Sequence, residues 1–131
     1  MAKTPFGNIG LMVCYDLRFP ELALTLRARG ANILTAPAAF TYTTGQMHWQ
    51  LLLQARAMDS QSIVLGAAQQ GWHGEKRQTW GHAAATNSRG QVLDLILNPG
   101  AQLITVPFDL AEQAQIRESM PLMQHRKLVQ F

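Results

Sequence analysis

Residues 9–21, Ile-Gly-Leu-Met-Val-Cys-Tyr-Asp-Leu-Arg-Phe-Pro-Glu, decide the fold. Five consecutive apolar residues, 9–13, predict a short strand buried on both faces, the pattern of a parallel sheet covered on two sides. Pro20 and Glu21 make a good first helical turn, because proline gives up no needed N–H there and a carboxylate suits the positive helix end. Leu22, Leu24 and Leu26 carry that helix to Gly30, a natural residue just past a helix C-terminus. Residues 32–36 predict a second strand, closed by Pro37. A longer helix follows over 45–60, in which Met47, Leu51, Ala55 and Met58 recur every three or four positions as the expected buried stripe. Ser62 to Ala68 supply a third strand. The order β-α-β-α-β implies parallel pairing through helical crossovers.

Beyond this point the pattern changes. Residues 70–80 are polar and glycine-containing and read as a loop. Strands near 82–87, 91–97 and 101–108 are separated by Ser88-Arg89-Gly90 and Asn98-Pro99-Gly100, turn signals close enough for antiparallel hairpins. A short helix near 110–118 and an extended tail complete the chain. The fold class is therefore α/β, with a β-α-β-α-β unit followed by antiparallel strands.

The bulk composition narrows the function. At 131 residues, 47% hydrophobic and 15% charged, the chain is one domain or a piece of one, with enough apolar residues for a real core. Its formal charge of +3 is spread over scattered basic residues, with one short cluster at His125-Arg126-Lys127. That distribution argues against a nucleic-acid face, which needs concentrated charge. No apolar run reaches membrane-spanning length, and residues 1–13 lack the apolar core of a secretory signal, so no membrane association and a cytoplasmic location are expected. The single cysteine excludes an internal disulfide and suits a reducing compartment.

That cysteine, Cys14, stands where the first strand ends and a turn leads into a helix. The position lifts a side chain above the sheet edge towards backbone N–H groups, which favour a thiolate nucleophile. A lone cysteine is otherwise a small buried hydrophobe, and position alone leaves that alternative standing. Asp16 and Arg18, two apart in the same turn, suggest a local ion pair; Arg18 also has the planar fork that suits a substrate carboxylate. Phe40 and Thr41 follow the end of the second strand, on the side where open α/β sheets hold ligands, and are candidate pocket residues. His48, His73, His82 and His125 have no metal-ligand spacing, so no metal is expected. A Cys–His dyad would need one particular histidine, and nothing selects it.

The octapeptide Cys14-Tyr15-Asp16-Leu17-Arg18-Phe19-Pro20-Glu21 resembles the nucleophile motif of the nitrilase superfamily of carbon–nitrogen hydrolases. The resemblance continues through Pro37-Ala38-Ala39-Phe40-Thr41, Thr44-Gly45, His48-Trp49 and Ala55-Arg56-Ala57. It then runs through Ala68-Gln69-Gln70-Gly71-Trp72-His73 and Gly81-His82 to Pro121 and His125-Arg126-Lys127. It implies an α-β-β-α sandwich and a Glu–Lys–Cys triad that works without a metal or organic cofactor. Within it Cys14 would be the nucleophile, the Tyr15 backbone N–H the oxyanion donor, and Arg18, Phe40 and Thr41 the substrate side. Thr44-Gly45 and His48-Trp49 look most like the amidase branch that acts on deaminated glutathione, an α-keto-acid amide.

The same resemblance places the triad's glutamate and lysine well before the cysteine. Residues 1–13 hold no acid and one lysine, Lys3, which lies in the run into the first strand. Residues 1–131 are thus expected to form the carboxyl-terminal part of a carbon–nitrogen hydrolase domain, the amino-terminal half being absent. On this reading the chain is inactive alone, with stranded apolar faces that invite association. The expected partners are a small amide substrate and either a second copy, in a homodimer, or a complementing amino-terminal half. The rival is a non-catalytic remnant or interaction module. Two small departures from the family pattern are Asp59-Ser60, where glutamate–asparagine is usual, and Asn87-Ser88-Arg89-Gly90, where an Asp-Pro-aromatic-Gly turn is usual.

Overall fold

The computed structural model describes residues 1–127. A hairpin opens the chain, β1 (Ala2–Thr4) and β2 (Gly7–Leu11), followed by a 3₁₀ turn at Cys14–Arg18 and helix α1 (Pro20–Ala28). Strand β3 (Ile33–Thr35), helix α2 (Tyr42–Ser60) and strand β4 (Ile63–Gly66) complete the alternating part. Then come β5 (Gln70–His73), β6 (Arg77–Trp80), β7 (Ala84–Thr86), β8 (Val92–Leu95), α3 (Leu110–Ser119) and α4 (Leu122–His125). Six strands form one sheet in the order β1-β2-β3-β4-β7-β8, and β5 and β6 pair apart from it. The β2, β3 and β4 strands are parallel, while β7 and β8 add antiparallel, as the turn signals predict.

Local chemistry explains the boundaries. Pro20 occupies the first turn of α1 with Glu21 beside it. The helix stops because Gly30, at φ +97°, takes a conformation that costs other residues steric energy, and its N–H reaches back to Arg27 O at 2.9 Å. Helix α2 ends at Gln61, left-handed at φ 49°.

The parallel registers put Gly10, Leu34 and Val64 in one row, on the side of the sheet covered by the helices. Met12, Leu17, Leu34, Trp49, Leu53 and Val64 are fully buried between the sheet and the helices, each stabilising the fold by roughly 1.5–3 kcal/mol through burial. The opposite face differs from the expectation of two-sided burial: Leu11 is 56% and Val13 59% exposed. The apolar run 9–13 does make the strand, but Leu11 and Val13 on its second face stay uncovered among the described residues.

Four further expectations are corrected. Met47, Leu51 and Met58 are exposed; the side of α2 that packs on the sheet is Trp49, Leu53 and Ala57. Residues 70–80 are not a loop but the hairpin of β5 and β6, in register from Gln70↔Trp80 to His73↔Arg77. Residues 101–108 form no strand, because the segment leaves the β8 edge. Leu103, Ile104 and Val106 instead line a cavity of about 290 Å³ with Thr35 and Leu65 of the open face. The tail expected to be extended contains the short α4, and residues 128–131 lie outside the described residues.

Helix α3 is tied to the ends of the crossover units by polar bonds. Gln113 Nε2 donates to Asn32 O at 2.9 Å and to Ser88 Oγ at 3.0 Å. Arg117 donates to Gln61 O and Ala31 O, both at 3.0 Å, and to Ser62 Oγ at 3.2 Å. Burial, with the like charge of Arg27 nearby, lowers the Arg117 pKa to about 10. No helix among the described residues is long and apolar enough to cross a membrane.

Candidate active site

Three consecutive strand ends build the site. The chain leaving β2 continues extended, with Met12 N–H bonded to Thr35 O at 3.0 Å and Cys14 N–H to Pro37 O at 2.9 Å. Beyond β3, Ala38 N–H bonds to Ala67 O at 2.8 Å, and Gln69 N–H to Ala38 O at 2.9 Å. The carboxyl ends of β2, β3 and β4 are thereby laced together, and a cleft of about 530 Å³ opens above them, lined by Cys14, Pro37, Ala38, Ala67 and Gln69 among others. This is the edge at which open α/β sheets place their ligands.

Cys14 itself is half-buried and sits at φ 47°, in the left-handed region that a residue with a Cβ seldom adopts. Such a strained turn between strand and helix lifts a side chain off the sheet rim. Asp16 helps to hold the turn: its Oδ2 accepts the Val13 N–H at 2.9 Å, and its N–H donates to Val13 O at 2.9 Å. The Tyr15 N–H makes no hydrogen bond among the described residues, so it is available to a ligand oxygen.

A second cleft, about 240 Å³, is lined by Cys14, Tyr15, Arg18, Phe40 and Thr41 together with Ala39 and Thr44. All five residues singled out from the sequence therefore meet around one opening. The expected Asp16–Arg18 ion pair is absent, because Asp16 is turned onto the backbone. Arg18 Nη2 instead donates to His48 Nδ1 at 3.2 Å, which fixes that imidazole nitrogen as an acceptor. The Arg18 guanidinium carbon lies 5.7 Å from the centroids of both the Tyr15 and the Phe40 rings, close enough for cation–π attraction. The salt bridge among the described residues is elsewhere, between Arg56 and Asp59 at 3.3 Å. Arg18 thus has a charge and, among the described residues, no carboxylate to meet it.

Sequence reasoning missed the small residues that floor the cleft, Ala38, Ala39 and Ala67. Nothing but their place after strand ends marks them. It also gave no role to His82, at φ 61°, whose ring stacks on Trp80 with centroids 3.9 Å apart and planes 8° from parallel. His73 borders the same region, with its Nε2 2.8 Å from Thr79 Oγ1. Among the described residues no group of three or more His, Cys, Asp or Glu side chains is arranged to hold a metal ion.

Comparison with known proteins identifies the family. Residues 1–118 match the carbon-nitrogen hydrolase family. Over 130 residues the chain is 46% identical to the deaminated glutathione amidase of Yersinia enterocolitica, covering 98% of this chain and 45% of that protein. It is 48% identical over 125 residues to the nitrilase and fragile histidine triad fusion protein NitFhit of Drosophila melanogaster, covering 95% of this chain and 27% of that one. Among solved structures, Saccharomyces cerevisiae Nit3, a member of branch 10 of the nitrilase superfamily, superposes with a TM-score of 0.86 at 31% identity, over 96% of this chain and 46% of that one. The chain thus spans less than half the length of each of these relatives. With its α/β sheet, its strand-end cleft and this family match, the chain belongs to the carbon-nitrogen hydrolase family of the nitrilase superfamily.

Proposed function

We infer that the chain carries the nucleophile side of an amidase that hydrolyses a non-peptide C–N bond through an acyl-enzyme on Cys14. The observation that carries this reading is the convergence of Cys14, Tyr15, Arg18, Phe40 and Thr41 on one cleft, with the cysteine on a strained turn. The Cys14 sulfur adds to the amide carbon, and the Tyr15 N–H donates to the oxygen as it gains charge. The C–N bond then breaks, the amine leaves with a proton, and a thioester remains. Water cleaves the thioester to an acid and restores the thiol. Splitting one displacement into two acyl transfers lowers each barrier.

The similarity to deaminated glutathione amidases supports deaminated glutathione or a related α-keto-acid amide as substrate, and Arg18, which meets no carboxylate among the described residues, suits one on the acyl part. A cytoplasmic setting fits a free thiol. No carboxylate among the described residues lines either cleft at Cys14, so on this reading the general base is supplied by a partner and the chain by itself does not turn over.

The exposed Leu11 and Val13 favour a second reading alongside the first, in which the open sheet face docks on an amino-terminal half or an intact relative. A homodimer through the same open face is the other arrangement on this reading. One experiment tests both readings. The purified chain is given an α-keto-acid amide, with and without the separately expressed amino-terminal half of a deaminated glutathione amidase. Product release is expected only in the mixture, and Cys14→Ala should abolish it. Release that survives Cys14→Ala would overturn the nucleophile assignment, and release by the chain alone would overturn its dependence on a partner.

A further inference from the structure

Arg18 reaches the Cys14 cleft on a long stem from the 3₁₀ turn, and it is steered there by a residue of another element. Its rings for company are Tyr15 and Phe40, and its directed contact is the hydrogen bond from Nη2 to His48 Nδ1 at 3.2 Å. Two groups that both ordinarily donate are thus paired. The pairing holds only while the imidazole is neutral and carries its hydrogen on Nε2, because Nδ1 must accept.

His48 is placed to be a fixed point. It is half-buried and lies in the second turn of α2. Its neighbour Trp49 is 1% exposed, packs on Phe40 with ring centroids 5.2 Å apart, and donates Nε1–H to His82 O at 2.6 Å. That side chain anchors the stretch of helix from which His48 projects. Arg18 has only its own stem, and an arginine has many rotamers to lose when it grips a ligand. A guanidinium has five N–H donors, so one bond to His48 leaves the others for a ligand carboxylate.

We propose that His48 is the positioning residue of this site, its neutral Nδ1 holding the Arg18 guanidinium at the cleft before a ligand arrives. The proposal rests on the carboxylate-binding role of Arg18 inferred above and adds the residue that makes that contact selective. His48 acts through Arg18 alone. With the arginine already ordered in the free protein, a carboxylate-bearing amide binds without ordering it again.

On the reading above the chain alone does not turn over, so an amide persists as a ligand. Cys14 of the 131-residue chain is alkylated with iodoacetamide. Protection is titrated with glutaramate, which carries a carboxylate at the end remote from its amide, and with pentanamide, which carries none. The parent should favour glutaramate by about tenfold, and His48→Leu should cut that preference about fivefold. His48→Asn, whose amide oxygen can stand where Nδ1 stands, should recover most of it. A His48→Leu chain that discriminates as the parent does overturns the proposal, as does an Asn variant no better than the Leu one. A parent protected equally by both amides, or by neither, would instead overturn the Arg18 role on which the proposal rests. One measurement needs no substitution: in the ¹⁵N-labelled parent the neutral His48 ring should carry its hydrogen on Nε2. A hydrogen on Nδ1 overturns the pairing even if both variants fail to fold.

Discussion

The Cys14 N–H donates to Pro37 O at 2.9 Å, so the residue at the tip of one strand is fastened to the residue that closes the next. This bond holds Cys14 at φ 47° against its steric preference. A residue with a Cβ costs roughly 1–2 kcal/mol there, and glycine costs little. Cys14→Gly should therefore be more stable than Cys14→Ala by about 1 kcal/mol in urea unfolding, although both lack the thiol. Equal midpoints would mean that the turn carries no strain.

Gly45, in the first turns of α2, faces Trp80 so closely that a Cβ would collide with the indole side chain. In a free helix Gly→Ala gains up to about 1 kcal/mol. Overpacking against a ring held by Tyr42 and His82 costs about 1–3 kcal/mol, and the collision should win. Gly45→Ala is expected to lower Tm, and with it the alignment of Thr41 beside Thr79; a raised Tm would refute the close approach.

The open face offers a test by solubility. Leu11→Lys combined with Val13→Thr replaces exposed apolar surface without touching the buried row of Gly10 and Met12. Binding of a hydrophobic dye and self-association measured by ultracentrifugation should both fall, with stability changed by no more than about 0.5 kcal/mol. A loss of several kcal/mol would mean that this face is packed.

Arg117→Lys should cost about 1–2 kcal/mol, since an ammonium cannot span Ala31 O, Gln61 O and Ser62 Oγ with one planar fork. The pH dependence has a definite sign. The folded pKa, about 10, lies below that of the free group, so between the two the unfolded chain holds the extra proton. The contribution of Arg117 to stability should thus be flat near neutrality and rise with pH through that window. Urea midpoints of parent and Arg117→Met compared from pH 8 to 11 would check this.

Much of this architecture is legible in the residues themselves. The runs ending at Val13, Ala36 and Ala68 are short, apolar and bounded by turns, which leaves parallel crossover strands as the economical solution. The candidate site is legible for the same reason, since Cys14, Phe40 and Thr41 follow strand ends directly. Helix α2 was harder to orient because it is apolar on two sides: Met47, Leu51 and Met58 keep helical spacing as well as Trp49, Leu53 and Ala57 do. Spacing cannot say which row meets the sheet. The β5–β6 hairpin was hidden by its polar composition, and the His82 arrangement by depending on Trp49 and Trp80, which only the tertiary fold brings to it.

The short hairpin at the start of the chain has one more effect. Strand β1 covers the outer rim of β2 over only three residues, and one of them is Lys3. A charged, stubby border is a poor template for a newcomer strand. That flank therefore favours a companion laid against the face over one added as a further strand.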